Sequence, residues 1–238
     1  MKNNDSKLTL SALLIIGLLF SFVAQAALTQ AGTLIKNQAS ASYKDAAGVK
    51  QFVTSNIVET LIQQVASAEL VQDQTKLGVA SRTIRFSHVL KNTGNDVDTF
   101  GLSLANLSGD DFDLSDFKIF ADKNRDGLPD NTDEITISYP LSSEEEFYFV
   151  VEGLLPGTVV EDDVANFTIV ATSVFDNTVT QLNTDTVRVT DKAIIDVTKS
   201  MSGTSGPSPS GPITISLNYK NNGVKTATNV TLIDALPA

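Results

Sequence analysis

Beyond its first thirty positions the chain alternates apolar and polar residues in short runs. Thr83-Ile84-Arg85-Phe86-Ser87-His88-Val89-Leu90, Phe100-Gly101-Leu102-Ser103-Leu104 and Phe167-Thr168-Ile169 each place an apolar side chain at every second position. A period of two predicts strands with one buried face. The pattern predicts strands over 68–74, 82–91, 99–105, 117–121, 135–139, 146–152, 165–174 and 185–190. Turn residues such as Asn92-Thr93-Gly94-Asn95 and Leu155-Pro156-Gly157 separate them. The inner-face candidates are Ile84, Phe86, Leu90, Phe100, Leu102, Leu104, Phe147, Phe149, Phe167, Ile169, Val187 and Val189. Seven or eight short strands in roughly 125 residues, with no long helical period, predict an immunoglobulin-like β-sandwich.

The first 26 residues follow a different pattern. Lys2 and Lys7 form a basic region ahead of an apolar run over residues 8–23, and Ala24-Gln25-Ala26 supplies a small-x-small exit. This is the pattern of a secretory signal peptide cleaved after Ala26. No other run is long and apolar enough to span a bilayer, so no transmembrane span is expected after cleavage, and the expected location is secreted, extracellular or at the cell surface.

Internal repetition divides the remainder. Leu90-Lys91-Asn92-Thr93-Gly94 returns 129 positions later as Tyr219-Lys220-Asn221-Asn222-Gly223. Thr75-Lys76 returns as Thr198-Lys199, with a Gly/Ser/Pro-rich insertion over 203–211 in the second copy. A looser match relates residues 32–76 to 157–199. The expected organisation is a signal peptide (1–26), a partial β unit (27–66), a whole sandwich (67–191) and the truncated start of a second repeat (192–238). The fold class is therefore all-β, with tandem immunoglobulin-like sandwich repeats after a cleaved signal peptide. The break at Leu236-Pro237-Ala238, in mid-repeat, reads as a fragment of a longer repeat protein.

Charge and composition narrow the function. Removing Lys2, Lys7 and Asp5 with the leader leaves 15 basic against 27 acidic residues, a net charge of −12. An acidic surface of that size argues against nucleic acid and anionic lipid as partners. With no cysteine, an exported chain must hold its fold by burial and by metal, not by disulfides. With no cysteine and one histidine, the composition argues against an ordinary zinc site.

One stretch carries specific chemistry. Residues 122–133 read Asp-Lys-Asn-Arg-Asp-Gly-Leu-Pro-Asp-Asn-Thr-Asp. A twelve-residue calcium loop places oxygen ligands at positions 1, 3, 5, 7, 9 and 12 with glycine at 6. Those positions are Asp122, Asn124, Asp126, Leu128 through its carbonyl, Asp130 and Asp133, and Gly127 holds the sixth. Asp133 stands where EF-hands carry a bidentate Glu, as in dockerin and thrombospondin type 3 loops, which the pattern resembles. The flanks, Phe117-Lys118-Ile119-Phe120 and Ile135-Thr136-Ile137-Ser138-Tyr139, read as strands, so the expected cofactor is a structural Ca2+ clipping two strands together.

Catalysis finds little support. His88, the only histidine, shares a face with Ile84, Phe86 and Leu90, and Leu217 takes its place in the second copy, so it reads as a core residue. A Ser-His-Asp arrangement would have to use it. No catalytic residue is assigned, and the chain is not expected to be an enzyme.

Lys91-Asn92-Thr93-Gly94-Asn95, the 122–133 loop and the closing Asn229-Val230-Thr231-Leu232-Ile233-Asp234-Ala235-Leu236-Pro237 together resemble the bacterial surface "conserved repeat domain", a tandem domain of unknown function. The resemblance implies a β-sandwich array at or beyond the cell surface, with no catalytic residues and no defined ligand. The whole unit lacks the Asp-x-Leu-Pro ending. The function expected from sequence is an exported structural or adhesive repeat protein with a surface, matrix or glycan partner. The alternative is a carbohydrate-binding or accessory module of a longer secreted enzyme.

Overall fold

The computed structural model describes residues 28–201 and 214–234. The leader (1–26), the Gly/Ser/Pro stretch (203–211) and the end of the closing motif lie outside the described residues.

The described residues are all-β, with no helix. In chain order the strands are β1 (Leu34–Asn37), β2 (Ser40–Lys44), β3 (Lys50–Thr54), β4 (Val58–Leu61), β5 (Ala68–Leu70), β6 (Thr75–Gly78), β7 (Thr83–Asn92), β8 (Phe100–Asn106), β9 (Ser115–Ala121), β10 (Glu146–Leu154), β11 (Val164–Ser173), β12 (Thr180–Val189), β13 (Ile195–Met201) and β14 (Ile215–Asn221). Two four-stranded sheets, β5-β7-β10-β9 and β6-β12-β11-β8, stack face to face as a sandwich. β6 and β12 pair in parallel; the other neighbours are antiparallel.

Alternation decides what is buried. Along β7, Ile84, Phe86, His88, Leu90 and Asn92 are buried and the residues between them are not. Along β11, Ala165, Phe167, Ile169, Ala171 and Ser173 are buried. The two inner faces meet at Phe86 and Phe167, packed edge to face with centroids 5.1 Å apart, and Phe117 contacts Phe167 the same way at 4.9 Å. Aromatic pairs prefer this geometry because a ring edge meets the negative face of its neighbour. The inner-face candidates named above are buried, except Leu104, which is partly buried against the cluster.

Three local readings are corrected. Residues 68–74 are not one strand: β5 ends at Leu70, and the chain crosses to the other sheet before β6. The anchors for this crossover are distant. Asp185 Oδ1 accepts from Gln74 N (2.7 Å), Asp73 Oδ1 accepts from Thr184 N (2.8 Å), and Asn183 Nδ2 donates to the Val71 carbonyl. Residues 135–139 form no strand. The segment follows β8 through Leu102 N to Thr136 O (2.7 Å) and Ser138 N to Phe100 O (2.9 Å), with only isolated bridges. The 122–133 loop therefore follows β9 and runs into an irregular edge segment, instead of joining two strands. Thr198-Lys199 is also not the counterpart of Thr75-Lys76. In register, Val197 corresponds to Leu70, and β13 continues along β14 where the first chain crosses over.

Outside the sandwich lie smaller pairs. β1 pairs with β4 and β2 with β3, so residues 34–61 make one long interrupted hairpin, whose large apolar side chains, Tyr43, Phe52 and Val58 among them, are exposed. β13 pairs with β14 as β5 pairs with β7: Ile195↔Asn221 repeats Ala68↔Asn92, and Asp196↔Lys220 repeats Glu69↔Lys91.

Candidate functional site

The 122–133 loop leaves the sandwich at the end of β9. Asp122 is buried, and its carboxylate caps the turn, accepting from Asp126 N (3.1 Å) and Gly127 N (3.0 Å). Asn124 Oδ1 also accepts from Asp126 N (3.1 Å), and Asp126 Oδ1 from Leu128 N (2.9 Å). Asp130 Oδ2 accepts from Lys123 N (2.8 Å), drawing the two ends of the loop together. Gly127 has φ = +77°, the left-handed conformation expected of the sixth position, which a Cβ disfavours. Arg125 also has a positive φ, +62°, and its guanidinium lies 3.9 Å from the centre of the Tyr148 ring on β10. That cation–π contact ties the loop to the sheet, so Arg125 does not simply point into solvent.

The structure thus brings Asp122, Asn124, Asp126 and Asp130 into one hydrogen-bonded turn. Asp133 stands apart, its own N–H donating to Asn131 Oδ1 (2.9 Å). Leu128 exposes its side chain. Among the described residues, no group of three or more acids or histidines is gathered as for a metal ion. The carboxylates of Asp122, Asp126 and Asp130 accept from backbone N–H groups of the loop.

His88 is more deeply placed than its sequence position suggests. It is 2% exposed, stacks on Phe149 with centroids 5.4 Å apart, and points Nε2 at Asp185 Oδ2, 2.8 Å away, across the gap between sheets. The contact has the distance of an ion pair but not the angles of a hydrogen bond, and neither atom has another hydrogen-bond partner. The side-chain amides of Gln74 and Asn183 each lie 3.5 Å from Nδ1. With both ring nitrogens facing these groups and the ring against Phe149, His88 has no side open to a substrate. It braces the β5–β6 crossover.

Sequence reasoning missed Asp185, Asn183 and Asn95, all buried. The available signal was phase. Asn183 and Asp185 occupy the same alternating face as Val187 and Val189, so polar side chains fall at core positions. Asn95 joins three segments: its Nδ2 donates to Gln63 O (3.0 Å) and Thr29 O (3.1 Å), and its Oδ1 accepts from Val65 N (2.7 Å).

Comparison with known proteins adds little to this geometry. No family model matches the chain, and no curated protein matches it. Solved structures resemble it only distantly. A family 123 glycoside hydrolase from Clostridium perfringens has a TM-score of 0.37 at 10% identity, covering 53% of this chain and 27% of its own. The PapD-like domain 7 of human CEP192 has a TM-score of 0.32 at 11% identity, covering 52% of this chain and 85% of its own. AggA, the major subunit of Escherichia coli aggregative adherence fimbriae type I, has 0.27 at 14%, covering 54% and 95%. The chain thus spans about a quarter of the hydrolase's length. Likenesses this weak carry no functional argument. Among the described residues no helix is long and apolar enough to cross a membrane.

Proposed function

We propose that this chain belongs to an exported structural or adhesive protein built from tandem immunoglobulin-like sandwiches, acting at the cell surface or in the extracellular matrix and not as an enzyme. The observation that carries the reading is duplication. β13–β14 repeats the β5–β7 register pair for pair, and the Asn221-Asn222-Gly223 turn repeats the hydrogen bonds of Asn92-Thr93-Gly94.

The strand order supports the immunoglobulin assignment. β5-β7-β10-β9 opposite β8-β11-β12, with β6 added in parallel beside β12, matches the ABED and CFG order of the constant-type fold. The disulfide that joins the second and sixth of those strands in antibody domains has no counterpart here. Phe86 and Phe167, on the same two strands, pack together instead.

Structural calcium is part of the proposal. The donor set Asp122, Asn124, Asp126, Leu128 carbonyl, Asp130 and Asp133 is all oxygen, which suits a hard cation of flexible coordination number. Gly127 has the backbone conformation that the loop needs. A bound cation would offset the repulsion of Asp122, Asp126 and Asp130, held on one short turn, and would have to draw in Asp133.

The resemblance to the bacterial conserved repeat domain agrees with this reading. Surface exposure tests it: protease added to intact cells should cleave the protein, and a purely cytoplasmic fraction would overturn the proposal.

A further inference from the structure

The turn after β7 does more than end a strand. Asn92 Nδ2 donates to Asp96 O (2.8 Å), and its Oδ1 accepts from Gly94 N (2.9 Å). The side chain thereby closes the turn and leaves the turn's own backbone groups free to bind elsewhere. They bind the incoming chain: Thr93 N donates to Ser67 O (3.0 Å) and Asn95 N to Val65 O (3.2 Å). Gly94 is required by closeness, because a Cβ there would come within 2.6 Å of the Val65 carbonyl.

The same arrangement recurs after β14. Asn221 Nδ2 donates to Lys225 O (2.8 Å), and its Oδ1 accepts from Gly223 N (3.0 Å). Asn222 N donates to Ile194 O (2.7 Å) and Val224 N to Lys192 O (3.0 Å). A Cβ on Gly223 would collide with the Lys192 carbonyl. In each case the gripped segment is the one arriving from the preceding sandwich or hairpin: residues 65–67 after β4, residues 192–194 after β12.

We propose that the Asn-Xaa-Gly turn is a docking joint, with the incoming linker of the preceding unit as its ligand. Successive units are then fixed in one orientation instead of being strung on a flexible tether. The inference rests on the repeat reading above and gives it a mechanical consequence. β7 runs between the two joints. Its last residue anchors one, and Arg82, immediately before it, donates Nη1 to Asn222 O of the other (2.8 Å). At about 3.3 Å per residue, the ten residues of β7 make a strut of roughly 33 Å. Load along the array therefore passes from linker to turn through backbone hydrogen bonds, along β7, and through the Arg82 side chain to the second turn.

The joint differs between copies in one informative residue. Asn95 gathers Thr29, Gln63 and Val65, whereas Val224 holds its place in the second joint and offers only its backbone.

Amide hydrogen exchange on the intact chain tests the proposal. The amides of Thr93, Asn95, Asn222 and Val224 should be protected in the native protein. Gly94→Ala should speed exchange at Thr93 and Asn95 by about tenfold or more and open residues 62–67 to protease, while β10 and β11 keep their protection. Gly101→Ala, whose Cβ meets only a carbonyl at 3.8 Å, serves as control. Should Gly94→Ala not fold, Asn95→Ala and the native exchange rates carry the test. Exchange at free-chain rates in the native protein at Asn222 and Val224, or unaltered rates at the first joint in the variant, overturns the joint. Absence of export would overturn the surface assignment and leave these rates unchanged, so the two failures are distinguishable.

Discussion

His88 Nε2 and Asp185 Oδ2 lie 2.8 Å apart between the two sheets, and both side chains are wholly buried. At these atoms each has only the other as a close polar neighbour, and the groups around them hold the β5–β6 crossover. Removing one member of such a pair costs about 3–5 kcal/mol, because the other remains buried alone. His88→Leu, the residue found at 217, should therefore lower unfolding stability by that amount in urea titration. His88→Leu with Asp185→Asn should recover most of the loss, since the introduced amide is uncharged and its oxygen still accepts from Gln74 N. A harmless single substitution would remove the bracing role.

The sandwich core makes a second expectation. Phe167 touches both Phe86 and Phe117 edge to face and is wholly buried. Phe167→Ala should cost about 3–5 kcal/mol through lost burial and a residual cavity. Equilibrium unfolding reads it directly, and a loss below about 1 kcal/mol would contradict the packing described.

These two sites show what the sequence made legible. Period-two alternation located β7, β8, β10 and β11 to within a residue or two, because each has one dry face. It misread 135–139, where Ile135 and Tyr139 alternate convincingly; hydrogen bonds to Leu102 and Phe100, far back in the chain, set the path. It also missed the crossover after Leu70, whose anchors sit on β12. In the candidate loop the turn geometry of Gly127 was legible, but the direction of the carboxylates was not. The backbone N–H groups that take them become partners only once the loop has closed.

The linker after β12 carries a pH signal. The hydrogen bond from Lys192 holds the Glu161 carboxyl down at about 2 from an ordinary 4.5, the Asp191 N–H adds to the effect, and burial opposes it. A depressed carboxyl contributes stability above its unfolded value and loses it as pH falls through the folded one. Protection of residues 190–194 against proteolysis should therefore be constant above about pH 4.5 and decline from there toward about pH 2. Glu161→Gln should abolish that decline. Lys192 is raised by the same bond, so its contribution is lost only in strong alkali.

Export makes a fourth expectation. N-terminal sequencing of the protein recovered outside the cell should begin at Ala27. Met1 retained in a membrane fraction would mean that residues 8–23 serve as an anchor.

Calcium at the 122–133 loop should be visible as a gain in thermal stability. Extracellular calcium modules bind at roughly 0.1–1 mM, and about 100-fold excess over the dissociation constant stabilises a folded form by about 2.7 kcal/mol. For a sandwich of this size that is a rise of roughly 10 °C in Tm. Thermal melts of the mature chain should show that rise with calcium and a smaller one with magnesium, which demands a tighter octahedral site. Asp126→Ala with Asp130→Ala spares the buried Asp122 cap and should melt at the same temperature with or without calcium. An equal calcium shift in parent and variant, or none in the parent, would show that the loop is an acidic turn closed by its own backbone.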